Sequence, residues 1–397
     1  MSTSHISPRN VTLSIVKAIG IILMVMGHAG CPGFLCTLLY EFHMPLFFIA
    51  AGYFFSSRYL SDEVTYVKKR IRRLYVPFVL WSVFFLLLHN GMFRLGVLNE
   101  RFGNIAGGVT HPYSWHQMQQ NLWNILCSMA GYDQFLAGAF WFFRALFMAS
   151  IAYLVACKLA LGMQHWLAGR FSWRRWHDDC WWIPLTVALA ALLLAVWKTG
   201  EGLRILPLVQ GGYREIMGTF FFACGHLFRC SVTRSFSSPV LAGWLRPRWW
   251  KALLLAAVVW AFACWAPASM DWKSDLVRCL SLPLPALAGF LFCCMVAVWL
   301  SRHGGRMGRW LAWCGDHTLS VFVLHLLAFK VVSLVKIAWY GLDPMQIGCH
   351  TVIHEHVHDD AFWLLYTLVG VGLPLLLDGT CQRVKRHFAK SECQNCG

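Results

Sequence analysis

Two histidines and a run of basic residues within about the first 75 positions carry the chemistry open to this chain. Lys17 and His28 interrupt the apolar stretch VTLSIVKAIGIILMVMGHAG, and His43 stands in FHMPLFFIAAGYFF. Lys68, Lys69, Arg70, Arg72 and Arg73 crowd KKRIRRLYVP. An ionisable group is costly in hydrocarbon, so one that persists there faces a cavity or a partner. On a helix, the spacing of Lys17 and His28 separates them by about 20° around the axis and about 16 Å along it. They share a face with Ile21 and Met24 between them, and Gly20 and Gly27 admit a close neighbour. His43 is expected level with His28, and Arg70 and Arg73 level with Lys17. A cationic layer suits a polyanion, because guanidinium offers forked donors to phosphate. A neutral imidazole suits taking a proton from a hydroxyl near pH 7. Taken singly, the same residues also read as a snorkelling Lys17, a His28 bonded to a carbonyl, and an anchor to anionic lipid at Lys68 and Lys69. The coupling of two spans favours a site.

These residues need helices to hold them in register. The chain has 397 residues, 58% hydrophobic and only 13% charged, against roughly a quarter charged in soluble domains, which reads as a polytopic membrane protein. The expected class is therefore an all-α transmembrane helix bundle of about ten spans. They fall at Val11 to Gly30, Phe42 to Leu60, Leu74 to Gly91, Leu136 to Ala156, Trp181 to Trp197, Gly212 to Phe228, Ala252 to Ala266, Leu276 to Leu300, Thr318 to Trp339 and Ala361 to Leu377. Asn121 to Gly131 is too short to cross and reads as re-entrant. With both termini inside, most of the 34 Lys and Arg collect in cytoplasmic segments, so the formal charge of +16 points to membrane orientation and lipid, not to nucleic acid. A single transmembrane domain is expected over 1–390, with a short cytoplasmic tail over 391–397.

Later spans add polar residues. Trp141 and Arg144 come early in the fourth, and Arg214 and Glu215 early in the sixth; they read either as contacts for a polar acceptor or as interfacial anchors. Thr318 and His325 share a helical face, with His325 either functional or a satisfied structural histidine. The segment HTVIHEHVHDD offers His350, His354, His356 and His358, but no recognised metal spacing, and a loop is the expectation. RFSWRRWHDD reads as a membrane-surface anchor. Cys393 and Cys396 form a CxxC without a second pair, too little for zinc. No metal is expected.

The ordered segments SIVKAIGIILMVMGH, FHMPLFFIAAGYFF, RIRRLYVPFVLW, FWFFRALF and GDHTLSVFVLH resemble the integral-membrane acyltransferase family 3, in particular its sugar O-acetylase branch. The resemblance implies an acyl-CoA co-substrate reached from the cytoplasm, no bound cofactor, and the hydroxyl of a glycan or lipid-linked saccharide as acceptor. It also implies a bacterial inner-membrane location. His28 matches the family's essential histidine, Lys17 stands in place of its basic partner, and Arg70 and Arg73 match its basic pair. Two departures matter: many members carry Asp where this chain has Ser14, and Arg where it has Lys17. The periplasmic hydrolase-like domain that some members append does not appear in this sequence.

The resulting expectation is an O-acyltransferase, specifically an O-acetyltransferase. Lys17, Arg70 and Arg73 would bind the acyl-CoA, with His28 as general base and His43 assisting. Trp141, Arg144, Glu215 and His325 are the acceptor-side candidates. An acyl-histidine route stays open. The rival readings are a proton-coupled transporter, which often shows related halves or matching broken helices, and a non-catalytic scaffold.

Overall fold

The structure is a computed structural model of the chain. It describes residues 10–103, 111–131, 136–171, 181–205, 209–235, 248–270, 275–357 and 360–395. No strand occurs among them. The first helix, α1 (Val11–His28), starts where the Asn10 side chain accepts the Leu13 N–H at 3.1 Å, as a helix start requires. It stops before Gly30, whose φ of +75° turns the chain back. The return comes in two pieces, α2 (Gly33–Tyr40) and α3 (His43–Tyr53), broken at Glu41 and Phe42. Then follow α4 (Glu63–Arg70) and α5 (Val76–Arg94), joined by a π-helical turn at Ile71–Tyr75.

The rest of the chain is built the same way. α6 (Glu100–Gly103) and α7 (Trp115–Ser128) precede the long α8 (Trp141–Phe171). α9 (Trp182–Gly200), α10 (Tyr213–Ser235) and α11 (Trp249–Trp265) come next, then α12 (Leu276–Ser281), α13 (Pro283–His303) and α14 (Gly305–Asp316). α15 (Thr318–Tyr340) and α16 (Phe362–Asn395) close the fold.

Eight helical stretches among the described residues are long and apolar enough to cross a membrane. The chain is an all-α polytopic membrane protein. Two of the ten expected spans fall outside that set. Gly212 to Phe228 overlaps α10, which is too polar on average but largely buried by its neighbours. Ala252 to Ala266 overlaps α11, only 17 residues long. Several span boundaries also move, those of the second and third among them. The second span is Gly33–Tyr53, not Phe42 to Leu60, and the third is Glu63–Arg94, not Leu74 to Gly91. The segment after Cys31 sits in the helical hairpin because Pro32 opens α2 at a position where a missing N–H costs nothing.

The centre of the bundle is α1. It packs against α3, α13, α14, α15 and α16, and Ile15, Val16, Ala18 and Val25 have no exposed surface. A second tight seam joins α3 to α10. A Cβ on Gly52 would strike the carbonyl of Phe222, and one on Gly225 would strike the carbonyl of Ile49. In lipid, apolar burial gives helices little reason to associate, so this backbone-to-backbone approach supplies the packing. The short expected re-entrant piece belongs to α7, which lies beside α5. At one end Tyr113 N–H donates to Asn90 Oδ1 at 2.8 Å, and at the other Tyr75 Oη donates to Leu126 O at 2.7 Å. The chain is back at mid-α5 by Phe140, whose ring lies 5.8 Å from that of Phe85.

Gly225→Leu is expected to lower thermal stability by roughly 1–3 kcal/mol or to prevent folding, read by thermal unfolding in detergent. Gly162→Leu, at a position with open space around it, serves as the control and should leave the transition unchanged.

Candidate active site

The face of α1 between Lys17 and His28 borders a cavity of about 180 Å³. Ile21, Met24, Phe142 and Phe322 contribute apolar walls, and Arg73 and Thr318 supply its polar groups. The walls are otherwise apolar, with Arg73 as the one charged group among the lining residues.

At the His28 end two imidazoles meet. The rings of His28 and His325 are 5.4 Å apart, tilted by 41°. His325 is 1% exposed, and its Nδ1 lies 2.9 Å from the Phe322 carbonyl and 3.2 Å from that of Val321. A carbonyl only accepts, so this nitrogen carries the hydrogen and donates it. Nε2 is left buried with no hydrogen bond. His43 is tied the same way, its Nδ1 donating to Leu39 O at 2.7 Å while the ring meets Tyr40 edge-on at 4.9 Å. His43 does not sit level with His28. Gly27 faces Tyr40 and Gly20 faces Leu46 and Phe47, a register that puts His43 opposite Met24, about one turn nearer Lys17. The reason is the added α2, which lengthens the return before His43. His28 remains its electrostatic neighbour.

At the other end, Ser14 Oγ donates to Asp316 Oδ1 at 2.6 Å, and Lys17 Nζ lies 3.9 Å from the same oxygen. Asp316 is the last residue of α14. Next to it, Gly315 lets the helix meet α1 so closely that a Cβ would strike the Ser14 carbonyl. Beyond it, His317 Nδ1 donates to Trp313 O at 2.7 Å, with Nε2 3.7 Å from Asp378 Oδ2.

The two arginines of the basic block part company. Arg73 is exposed at the cavity. Arg70 lies instead over aromatic rings, its guanidinium 4.8 Å from the centre of Tyr66 and 5.5 Å from that of Phe222. The π-helical turn explains the split. Pro77 has no N–H to give the Arg73 carbonyl, and Val76 N–H bonds Ile71 O one residue beyond the α-helical partner, so the wider turn re-aims the side chains around it. Beside them, Lys69 Nζ donates to Tyr59 Oη at 2.8 Å. Burial would raise the Tyr59 phenol, but the hydrogen bonds and charges of Lys69 and Arg58 outweigh it and lower its pKa.

The acyltransferase-domain family matches residues 10–378. The chain belongs to acyltransferase family 3. It is a membrane acyltransferase, with an acyl donor and an acceptor as its substrates. No curated protein and no solved structure matches the chain.

On this acyltransferase the remaining candidates lie as follows. Arg144 and Glu215 are buried and pair with each other across α8 and α10, Nη2 to Oε1 at 3.0 Å and Nε to Oε1 at 3.1 Å. Arg214 is stacked 4.0 Å over Trp141 and donates through Nε to Met270 O at 3.2 Å. Arg214 and Glu215 are thus buried partners, not interfacial anchors, because α10 is enclosed by α3, α8 and α9. In the His-rich loop, Glu355 accepts from Gln346, and His356 stacks on Tyr340 at 4.7 Å. His354 is lowered by burial, with the Lys336 charge adding to it. Among the described residues no three metal-type ligands cluster. His358, most of the RFSWRRWHDD anchor and Cys396 lie outside the described residues.

Three features escaped the sequence. Asp316 stands 302 positions from Ser14, a distance at which spacing carries no signal. The π turn had a signal in Pro77, four residues after Arg73. Glu41, two residues before His43, is fully buried, and the sequence offered only an acid beside a motif. Breaking the buried pair tests whether Arg144 and Glu215 act structurally. Glu215→Gln should destabilise by about 3–5 kcal/mol, while Arg144→Met with Glu215→Leu should recover most of the loss, both read by thermal unfolding.

Proposed function

We propose that the protein is an O-acetyltransferase that moves an acetyl group from cytoplasmic acetyl-CoA to a hydroxyl of a surface glycan or its lipid-linked precursor. The observation that carries this reading is the cavity along α1, lined by Ile21, Met24, Arg73 and Thr318, with Lys17 one turn before Ile21 and His28 one turn after Met24 on the same helix. Lys17 and Arg73 bind the CoA phosphates, with Arg70 adding positive potential from its aromatic shelf. The thin thioester arm follows Ile21 and Met24 toward His28. His28 takes the proton of the acceptor hydroxyl as its oxygen attacks the thioester carbonyl. The C–S bond breaks, and the leaving thiolate recovers the proton from the imidazolium. His43 and His325, each with a bonded Nδ1, flank that step. Trp141 offers an aromatic face to a sugar, on a wall braced by Arg144 and Glu215.

Both termini then lie in the cytoplasm, the basic segments meet anionic lipid, and residues 1–390 act as one transmembrane domain with a short tail over 391–397. The setting is a bacterial inner membrane. Family membership supports this reading over a transporter or a scaffold, neither of which transfers an acyl group.

Purified protein in liposomes with labelled acetyl-CoA and a glycan acceptor fraction tests the reading. Label on the glycan is the expected result; uptake of an intact solute without transfer would replace the enzyme with a carrier. His28→Ala should abolish transfer while the protein inserts normally, and activity near wild type would remove His28 as the base. Arg73→Ala should weaken acetyl-CoA binding by about tenfold, the scale of one charge-assisted contact, and more than Arg70→Ala does.

A further inference from the structure

We infer that Asp316 is the positioning residue of the donor site, holding the Lys17 ammonium at the cavity's end through a carboxylate that Ser14 orients. This rests on the donor reading above. A lysine is a point charge on a flexible four-carbon stem, and beside a polar surface its head swings out to water unless something fixes it. The Asp316 carboxylate supplies that constraint from another helix. Its Oδ1 accepts the Ser14 hydroxyl at 2.6 Å and stands 3.9 Å from Lys17 Nζ.

The backbone is built for this contact. Gly315 brings the end of α14 against the Ser14 carbonyl, where any larger residue would clash. Two residues beyond Asp316, Thr318 lines the cavity, so one short segment both places the cation and walls the space it serves. Neighbouring Asp378 pairs with His317 at 3.7 Å, so the two carboxylates have separate partners. The side chains of Lys17 and Asp316 keep 29% and 33% of their surface exposed. A pair that open to water adds little to stability.

The test moves the carboxylate from one helix to the other. An Asp at position 14 would stand three residues before Lys17 on α1, a spacing at which side chains meet. Acetyl-CoA binding is measured by calorimetry on the full-length protein in nanodiscs. Asp316→Asn is expected to weaken binding by about tenfold. Adding Ser14→Asp to Asp316→Asn should restore most of the loss, whereas adding Ser14→Asn should not. A merely structural role for Asp316 would not respond to where the charge is carried. Wild-type binding by Asp316→Asn, or a Ser14→Asp double variant no tighter than Asp316→Asn, overturns the assignment. Lys17→Ala separates two failures. If it binds acetyl-CoA as the wild type does, the donor reading falls and this inference with it. If it binds weakly while Asp316→Asn does not, the inference about Asp316 falls alone.

Discussion

Ionisable groups carried by a central, half-buried helix are the constraint on which this bundle depends. In α1, Ile15, Val16 and Val25 are sealed from solvent, yet Lys17 and His28 ride the same helix. A polar group drawn away from water needs a partner, and here the partners come from across the bundle, loosely for Lys17, which keeps 29% of its side chain exposed. Asp316 meets Lys17, and His325 meets His28. The same demand recurs outward. Arg144 and Glu215 join α8 to α10, Lys336 pairs with Asp360 at 2.8 Å, and Lys330 donates to the carbonyls of Ile347 and Cys349 at 2.7 and 2.8 Å.

These pairings do what apolar packing cannot do in a membrane. Lipid chains are as apolar as leucine, so hydrophobic contact alone does not choose one helix arrangement over another. Directional polar contacts and close glycine seams do choose. The Gly52 and Gly225 seam fixes α3 on α10, and Gly315 fixes α14 on α1. Between these fixed elements a cavity is left open, walled by side chains from helices far apart in sequence. Its opening at Arg73 depends on a single irregular turn, placed where Pro77 withholds a hydrogen bond.

Much of this was legible in the residues. The face joining Lys17, Ile21, Met24 and His28 follows from helical periodicity, and Ile21 and Met24 do line the cavity. Thr318 and His325 were legible as one face for the same reason, and they border the cavity and His28 respectively. The depth of His43 was not, because the chain turns early at Pro32 and inserts α2 before it. Nor was the separation of Arg70 from Arg73, since a regular helix would keep residues three apart on one side. Arg144 and Glu215 looked like independent polar residues because each lies in a different helix.

By itself the sequence determined the class of protein, the helices and the family, since composition, periodicity and ordered local motifs are properties of neighbouring residues. It also determined which residues on a given helix share a face. Only the tertiary structure decided which groups meet across helices: that a carboxylate from the end of α14 accepts the hydroxyl of Ser14, and that the rings of His28 and His325 meet. Such meetings depend on how helices pack and cross, and no spacing along the chain encodes a contact between residues hundreds of positions apart.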